Sequence, residues 1–546
     1  MVNSNTRWPI FGALVLGVAA VALLWYVVLA NPEGEAVPAS GGRYVEGLTR
    51  APERINPLFA RANPTDADLS SLIFSGLVRL GPDGTPLPDL AERWEVTGGG
   101  QSYVFYLRRG VSWQGDEIVP LTAEDVVFTF QAIADPAFKG DPALAQLMQG
   151  VVVTAREPYT VEFRLEQAYA PFLAQMTVGI LPKHLLDGLD ANQLYNAEFN
   201  ANPVGTGPYR FASRTRDGVV LEANPMYYLG PPHITTFEFR VFPEDDALMA
   251  ALRERRIDGA LLGADAGAAD LAFLDETGAY ELRRLTSASV SMIILDTRSA
   301  LFSEPEVRAA LLQGMSRETL VNDVAGGRGE LAAAGIPKGS WAFSEVEVPG
   351  FNAGTAATAL ERAGWARGRD GVRQKNGVRL EFDLMTSNDP QKVAIAENVA
   401  RQWQSIDVEA RVVPVDAAGF IEETLLARQF VAAFVEIDPG PDPDPYPFWH
   451  SSQIAPGGRN LSNYDNPRMD ATLEQARQTT DTDFRRELYQ LFSGMFIADL
   501  PAIPLYSPVY IYAQSDRVRG FESSLLFRSS SRFANVNAWY INTRVE

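Results

Sequence analysis

Apolar and polar positions alternate most regularly between residues 379 and 437. The pattern predicts three strands separated by two helices, in the order 379–385, 390–405, 408–412, 417–428 and 430–437. Strands and helices at this spacing indicate a parallel, doubly wound α/β sheet. Ligands bind such sheets beyond the carboxyl ends of the strands. We therefore expect a candidate site directly after residue 437.

The segment after that strand is an acidic loop in which every second residue from 439 to 447 is proline. Because proline fixes φ and restricts the residue before it, the loop should be stiff. The side chains expected to be exposed on it are Asp438, Asp442, Asp444 and Tyr446. Of these, Asp438, Asp442 and Tyr446 are candidate ligand-binding residues, together with Trp449 just beyond. Carboxylates beside aromatic rings suit a cationic, partly apolar ligand. A solvated acidic turn is the alternative, since Asp-Pro is common turn chemistry.

The N-terminal region contains a charge-free apolar run at residues 10–30. A helix of that length would span roughly 31 Å, close to the thickness of a bilayer core of about 30 Å. Arg7 precedes the run and Glu33 follows it, which places the N-terminus in the cytoplasm and the remainder outside. We favour an uncleaved membrane anchor over a secretory signal peptide cut after Ala30, because signal peptides have shorter apolar cores. Residues 31–42 would then be a flexible spacer.

Composition narrows the classes of function further. The 546-residue chain has a net charge of −21 and no cysteine, which excludes disulfides, thiolate metal sites and a cysteine nucleophile. The acidic balance argues against a nucleic-acid partner, which would need clustered cations. His184, His233 and His450 are too far apart to share a metal-ligand spacing. The loop after Asp438 lacks the glycine and glutamate of an EF-hand calcium loop, so we expect no metal or other cofactor.

A series of motifs in one order resembles the extracellular solute-binding proteins of ABC importers, family 5, which includes dipeptide and oligopeptide receptors. The resemblance covers residues 43 to 540, and its most specific part runs from YVFYLRRGV at 103–111 to LTAEDVVF at 121–128. The other motifs are INPLF at 55–59, SGLV at 75–78, PDLAERW at 88–94, LPKH at 181–184, VGTGPY at 204–209, NPMYY at 224–228, VRAAL at 307–311, the segments 360–365 and 460–467, and PAIPL at 501–505.

The resemblance implies an α/β, two-lobed periplasmic-binding-protein-like fold, the large family-5 variant of type II with an extra subdomain. We expect residues 1–42 to form the anchor and spacer, and residues 43–286 to form the first lobe, including the extra subdomain. Residues 287–504 should form the second lobe, and residues 505–546 should return to the first. The chain would cross between the lobes near 287–292 and 501–507, where short apolar segments flank the regular α/β stretch.

The resemblance also implies a function: an extracytoplasmic receptor, not an enzyme, that passes a peptide to an ABC permease in the membrane. In peptide-binding members of the family, an acidic residue after a late strand pairs with the ligand's amino terminus. Asp438 fits that position best, and Asp442 is the other candidate.

Further binding residues are expected at Tyr446, Trp449 and Trp341. Such rings stack on sugars as readily as on peptide side chains, so an oligosaccharide receptor is the first alternative, and a secreted hydrolase is a more remote one. We expect a monomer attached to the outer face of the cytoplasmic membrane by residues 10–30.

Overall fold

The computed structural model of the protein describes residues 36–115, 117–263 and 266–545. Its strands, in chain order, are β1 (Ala36–Ala39), β2 (Arg43–Leu48), β3 (Val78–Leu80), β4 (Pro86–Pro88), β5 (Ala91–Thr97), β6 (Ser102–Leu107), β7 (Val152–Glu157), β8 (Thr160–Arg164), β9 (Tyr209–Thr215), β10 (Gly218–Ala223), β11 (Thr236–Val241), β12 (Gly259–Leu262), β13 (Tyr280–Thr286), β14 (Val290–Leu295), β15 (Gly329–Leu331), β16 (Ala366–Arg367), β17 (Arg373–Lys375), β18 (Val378–Arg379), β19 (Glu381–Ser387), β20 (Glu409–Val415), β21 (Ala432–Ile437), β22 (Ala502–Ser515) and β23 (Asn542–Val545).

The helices lie singly or in runs between groups of these strands. The longer α-helices are Pro64–Ile73, Ala123–Ala134, Asp245–Arg253, Ala268–Thr277, Pro305–Gln313, Ala353–Arg362, Pro390–Gln404, Pro467–Gln478 and Thr482–Asp499. The shorter α-helices are Pro142–Met148, Phe172–Gln175, Lys183–Leu186, Ala191–Tyr195, Arg317–Thr319, Ala417–Gly419 and Tyr446–Trp449.

The long strand β22 organises the main sheet, whose strand order is β20-β19-β21-β14-β22-β12-β2-β11-β10-β9. Residues 502–506 of β22 pair antiparallel with β14, and residues 509–515 pair antiparallel with β13. One continuous strand therefore belongs to both parts of the sheet. A separate antiparallel sheet, β5-β6-β8-β7, lies in the N-terminal half of the chain. The division into lobes at residues 286 and 504 stays a prediction.

The predicted α/β stretch is confirmed at its centre. Strands β19 and β20 are parallel, and so are β19 and β21. The helix Pro390–Gln404 connects the first two strands and buries Ile395, Val399 and Trp403 on one face. Its first turn is fixed by Pro390 and by Asp389, whose side chain accepts a hydrogen bond from the Lys392 amide.

The helix predicted at 417–428 differs from the observed one. Only Ala417–Gly419 is α-helical, and the chain continues as a π-helix over Phe420–Leu426. The buried residues of this segment are Phe420, Thr424 and Leu425. Thr424 and Leu425 follow Phe420 by four and five residues, which matches the wider i→i+5 turn of a π-helix. At the period of 3.6 residues used for prediction, the same pattern is typical of an ordinary α-helix.

The C-terminal segment packs against the N-terminal part of the chain. Trp539, Phe533 and Tyr512 belong to the same buried cluster as Tyr44 and Phe237. Tyr44 and Trp539 make an edge-to-face contact with ring centroids 5.6 Å apart. This core therefore depends on residues from both ends of the sequence.

The predicted membrane anchor at residues 10–30 lies outside the described residues, as does the spacer up to residue 35. Among the residues that the structure does describe, no helix is both long enough and apolar enough to cross a membrane.

Candidate functional site

A polar face forms at the edge of the main sheet where β14 begins and β21 ends, next to the crossover segment 287–289. On β21 and directly after it, Glu436 and Asp438 are exposed, whereas the residues on either side of Glu436 are buried. The antiparallel register places Ser291 opposite Glu436. Residues opposite one another project to the same face of a sheet. Ser289 lies on this face too, because its hydroxyl donates to the Glu436 carboxylate.

Asp438 is the exposed end of this face. One of its carboxylate oxygens, Oδ1, accepts a hydrogen bond of 2.8 Å from the backbone N–H of Gly440. This short turn fixes the start of the proline-rich loop. Across residues 36–115, 117–263 and 266–545, the other oxygen, Oδ2, accepts no hydrogen bond. Asp438 therefore presents a fixed and accessible negative charge at the carboxyl end of β21.

Asp442 and Asp444 are buried and already paired within the protein. Arg485 donates from its two terminal nitrogens to the two carboxylate oxygens of Asp442, at 2.8 and 3.0 Å. Arg477 donates from Nε to Oδ2 of Asp444 at 2.8 Å, and its Nη2 lies 2.6 Å from the same oxygen as an ion pair. Of the three loop aspartates, Asp438 is thus the one whose carboxylate is open to a ligand.

Burial raises the pKa of Asp442 despite the opposing charge of Arg485, whereas Arg485 is held in its charged form. Burial acts to lower the pKa of Arg485, but the Asp442 carboxylate and the Tyr489 hydroxyl more than offset this effect, so the pKa lies above its ordinary value. Arg485 also donates to the Ala476 carbonyl oxygen at 3.1 Å. With a further bond to the Tyr489 hydroxyl, four of the five N–H donors of the guanidinium have partners in this chain.

The predicted aromatic residues lie in different environments. Tyr446 is half-buried and stacks on His450, with ring centroids 4.0 Å apart. Trp449 and Trp341 are buried. Trp449 packs edge-on against Phe496, and the Trp341 ring lies 5.0 Å from the Arg485 guanidinium carbon. Of the three rings, Tyr446 is the accessible one, and a role of any of them in ligand binding stays a prediction.

The region around the loop contacts the N-terminal half of the chain. The backbone N–H of Ala170 donates to the Arg477 carbonyl oxygen at 2.7 Å. The Arg477 guanidinium carbon lies 5.3 Å from the Tyr169 ring centroid and 3.7 Å from that of Tyr446. Arg477 thus lies between the Tyr169 ring of the N-terminal half and the Tyr446 ring of the loop region, and it connects the two.

Three residues of this region were not predicted from the sequence: Glu436, Arg477 and Arg485. The two arginines follow their aspartate partners by 33 and 43 residues, and no local motif connects positions so far apart. Glu436 did carry a signal, because it is the only charged residue among positions 430–437 of the apolar strand. Within the described part of the chain, no group of three or more histidine, aspartate or glutamate side chains is placed to hold a metal ion.

Comparison with known proteins identifies the family. Residues 85–457 match the model of the bacterial extracellular solute-binding proteins, family 5, middle part. The chain is 27% identical over 517 residues to the oligopeptide-binding protein AppA of Bacillus subtilis, and the match covers 92% of each sequence.

Solved structures agree with this assignment. The structure of AppA from Bacillus subtilis in complex with a nonapeptide has a TM-score of 0.69 and 26% identity, and the match covers 93% of this chain and all of that one. HbpA2 from Haemophilus parasuis has a TM-score of 0.79 at 24% identity, covering 92% and 100% of the two chains, which shows the shared fold alone. These neighbours confirm the predicted two-lobed α/β fold. Because the family model matches more than half of the sequence, the chain belongs to the bacterial extracellular solute-binding proteins, family 5.

Proposed function

We propose that this protein is the extracytoplasmic receptor of an ABC importer that captures a di- or oligopeptide and delivers it to a membrane permease. Residues 43–286 and 505–546 would form one lobe, residues 287–504 the other, and the peptide would lie between them. The protein would act as a monomer, by binding and release, without catalysing a reaction. The nonapeptide complex of AppA supports a peptide as the ligand.

The observation that carries this proposal is the free carboxylate of Asp438. It lies at the carboxyl end of β21, where α/β sheets bind ligands, on a face that also bears Glu436. Two acids on one face favour a cation such as a peptide's terminal ammonium. A charge-assisted hydrogen bond to Asp438 would be short and strong. The stiff loop lowers the entropy lost when the site becomes ordered around its ligand.

Asp438→Asn keeps the shape of the side chain and removes its charge. If a peptide ammonium binds there in a closed cleft, we expect the affinity to fall by about 2–5 kcal/mol, or roughly 30-fold to several-thousand-fold. The probe is a synthetic copy of the peptide that co-purifies with the protein, identified by mass spectrometry, and the measurement is isothermal titration calorimetry.

Asp442→Asn and Asp444→Asn are the matched controls for this experiment, because both carboxylates are bound to arginines inside the protein. Each control is first checked for its stability against urea, so that partial unfolding is separated from loss of binding. Small and equal losses of affinity in all three variants would make Asp438 an ordinary loop residue. A loss confined to Asp442→Asn would move the ammonium-binding position to Asp442.

The two alternative functions make different demands on the molecule. Sugar recognition would need accessible aromatic faces, but Trp341 and Trp449 are buried, which leaves Tyr446 as the accessible ring among the three. A hydrolase would need catalytic turnover. Incubation with a mixed peptide pool should therefore return intact peptides, and the appearance of cleavage products would contradict the proposal.

We also propose that residues 10–30 tether the protein to the cytoplasmic membrane. The apolar run is long enough to span the bilayer and contains no charge. The native protein is expected in the membrane fraction, resistant to extraction by high salt and released by detergent. N-terminal sequencing that begins at Asn31 would instead demonstrate cleavage of a signal peptide.

A further inference from the structure

A surface cavity of about 340 Å³ lies at the end of the main sheet that is remote from the crossover. Its walls come from the end of β22, the start of β13 and the loop before β12. Tyr280 pairs there with Ser515, six residues along β13 from Thr286. At about 3.4 Å per residue, the cavity is roughly 20 Å from the crossover. Its volume suits a small molecule, since ligand sites occupy about 300–1,000 Å³.

One wall of the cavity is a fixed ion pair. Asp258 is buried, and its Oδ2 accepts from the Val45 N–H at 2.9 Å. Its other oxygen, Oδ1, accepts from Nε of Arg517 at 2.8 Å. Nη2 of Arg517 donates to the Arg43 carbonyl oxygen, also at 2.8 Å. The guanidinium is therefore held in one orientation, and its remaining nitrogen, Nη1, makes no hydrogen bond to any residue that the structure describes.

Arg255, on a second wall, has an unusual backbone conformation for an arginine. It follows the helix Asp245–Arg253 with a φ of 55°. Its N–H donates to the Leu252 carbonyl oxygen at 3.0 Å, and the N–H of Arg256 donates to that of Ala251 at 2.9 Å. This pair of bonds is a Schellman motif, in which glycine is the usual residue at the left-handed position. A side chain is disfavoured there, and such strain is common at functional sites.

The cavity has two charged side chains without partners. Arg255 and Asp516 both line it and are exposed. Among residues 36–115, 117–263 and 266–545, neither side chain forms a hydrogen bond or an ion pair, so the two do not neutralise each other. Arg256, by contrast, donates from Nε to the Glu254 carboxylate at 2.6 Å. The cavity therefore presents one available cation and one available anion.

The guanidinium groups of Arg255 and Arg517 act on the same part of the cavity. The Tyr280 hydroxyl, which donates to the Ile257 carbonyl oxygen at 2.7 Å, lies between the walls. Burial raises the pKa of this hydroxyl to about 12 and the Asp258 carboxylate adds to the rise, whereas the positive charges of Arg255 and Arg517 oppose it. Both cations are thus near one hydroxyl, and an anion in the cavity would be attracted by both.

We infer that this cavity binds a small zwitterion that carries a phosphate group and an ammonium group, as ethanolamine phosphate does. The phosphate would accept hydrogen bonds from Arg255, from Nη1 of Arg517 and from the neighbouring Ser515 hydroxyl. A guanidinium matches phosphate geometry well, and a tetrahedral phosphate accepts from more directions than a planar carboxylate. The ammonium group would pair with Asp516. Inorganic phosphate would leave this carboxylate unpaired beside a like charge, so it should bind more weakly.

The test is isothermal titration calorimetry of the full-length protein with O-phosphoethanolamine. We expect saturable binding, at least tenfold tighter than that of inorganic phosphate or of ethanolamine. Arg255→Gln should weaken it by roughly 10- to 150-fold, as expected for a hydrogen bond between charged groups. Asp516→Asn should weaken the binding of O-phosphoethanolamine without weakening that of inorganic phosphate. Both residues are exposed, so the variants should keep the urea stability of the wild type.

Arg256→Gln is the matched control, because it removes the neighbouring guanidinium, which Glu254 already neutralises. It should leave the affinity within about twofold of the wild type. Absence of saturable binding, equal binding of inorganic phosphate, or equal losses in Arg255→Gln and Arg256→Gln would overturn the inference. None of these results bears on peptide binding, which is measured separately.

The same titration distinguishes two sources of this chemistry, a free phosphate monoester and the headgroup of a membrane phospholipid. Glycerophosphoethanolamine carries the phosphodiester of such a headgroup without the acyl chains. Tighter binding of this diester than of O-phosphoethanolamine would support the site and identify a lipid headgroup as its ligand. Tighter binding of the monoester would support the site and identify a free metabolite. Failure of both compounds to bind would contradict the site itself.

Discussion

Replacing Arg532 by methionine is expected to lower the free energy of unfolding by about 3–5 kcal/mol. Arg532 is almost completely buried between Glu46 and Asp68, which are buried as well. Its Nη2 donates to Glu46 Oε1 at 2.8 Å and to Asp68 Oδ2 at 2.6 Å. Without the guanidinium, two carboxylates remain in the core with no cation between them. Urea unfolding of the purified variant measures the loss.

Arg528→Met is the control for this experiment, because it makes the same change four residues earlier, at an exposed position. Its free energy of unfolding should lie within about 0.5 kcal/mol of the wild type. Adding Glu46→Gln and Asp68→Asn to Arg532→Met should restore part of the lost stability, since both buried charges are then removed. A similar, small effect of the two methionine variants would show that the buried network contributes little.

Asp442→Asn is expected to destabilise the protein by about 3–5 kcal/mol as well, because it leaves the buried Arg485 without its counter-ion. The two-point geometry of the pair makes this interaction specific. A double-mutant cycle with Arg485→Gln should therefore give a coupling free energy of about 0.5–3 kcal/mol, measured by chemical unfolding of the wild type, the two single variants and the double variant.

Asp438→Asn is the natural reference for that cycle, since it alters an aspartate of the same loop that is exposed. Its stability should stay within about 0.5 kcal/mol of the wild type. Additive effects of Asp442→Asn and Arg485→Gln would mean that the two side chains stabilise the fold independently. The expected contrast is that Asp442 contributes to stability and Asp438 to binding.

The sequence allowed the α/β stretch from β19 to β21 to be predicted because its signals are local. Alternating apolar positions define the strands, and Asp389 and Pro390 fix the start of the intervening helix within a few residues. The π-helix at Phe420–Leu426 could not be predicted in this way. Burial at spacings of four and five residues still resembles one apolar helical face, and packing against the rest of the molecule decides the winding.

The position of the candidate site could be predicted from the sequence, but the environment of each of its aspartates could not. The carboxyl end of β21 follows from the topology of the sheet. The loop aspartates, however, look alike in sequence, each followed by or close to a proline. Whether each is exposed or neutralised depends on Arg477 and Arg485, which reach the loop from helices further along the chain. Long-range pairing of this kind has no periodicity to detect, so the difference between Asp438 and Asp442 emerges only in three dimensions.

The continuity of β22 has a mechanical consequence. Any rearrangement between the two parts of the main sheet must twist or bend this strand, because no loose linker stands in its place at residues 502–515. Pro504 and Pro508 lie within it and lack an N–H group, so the strand has fewer ladder bonds to disturb at those points. Opening and closing of the two parts would then bend β22 elastically. The stiffness of this strand would oppose the motion and limit its amplitude even in the absence of a ligand.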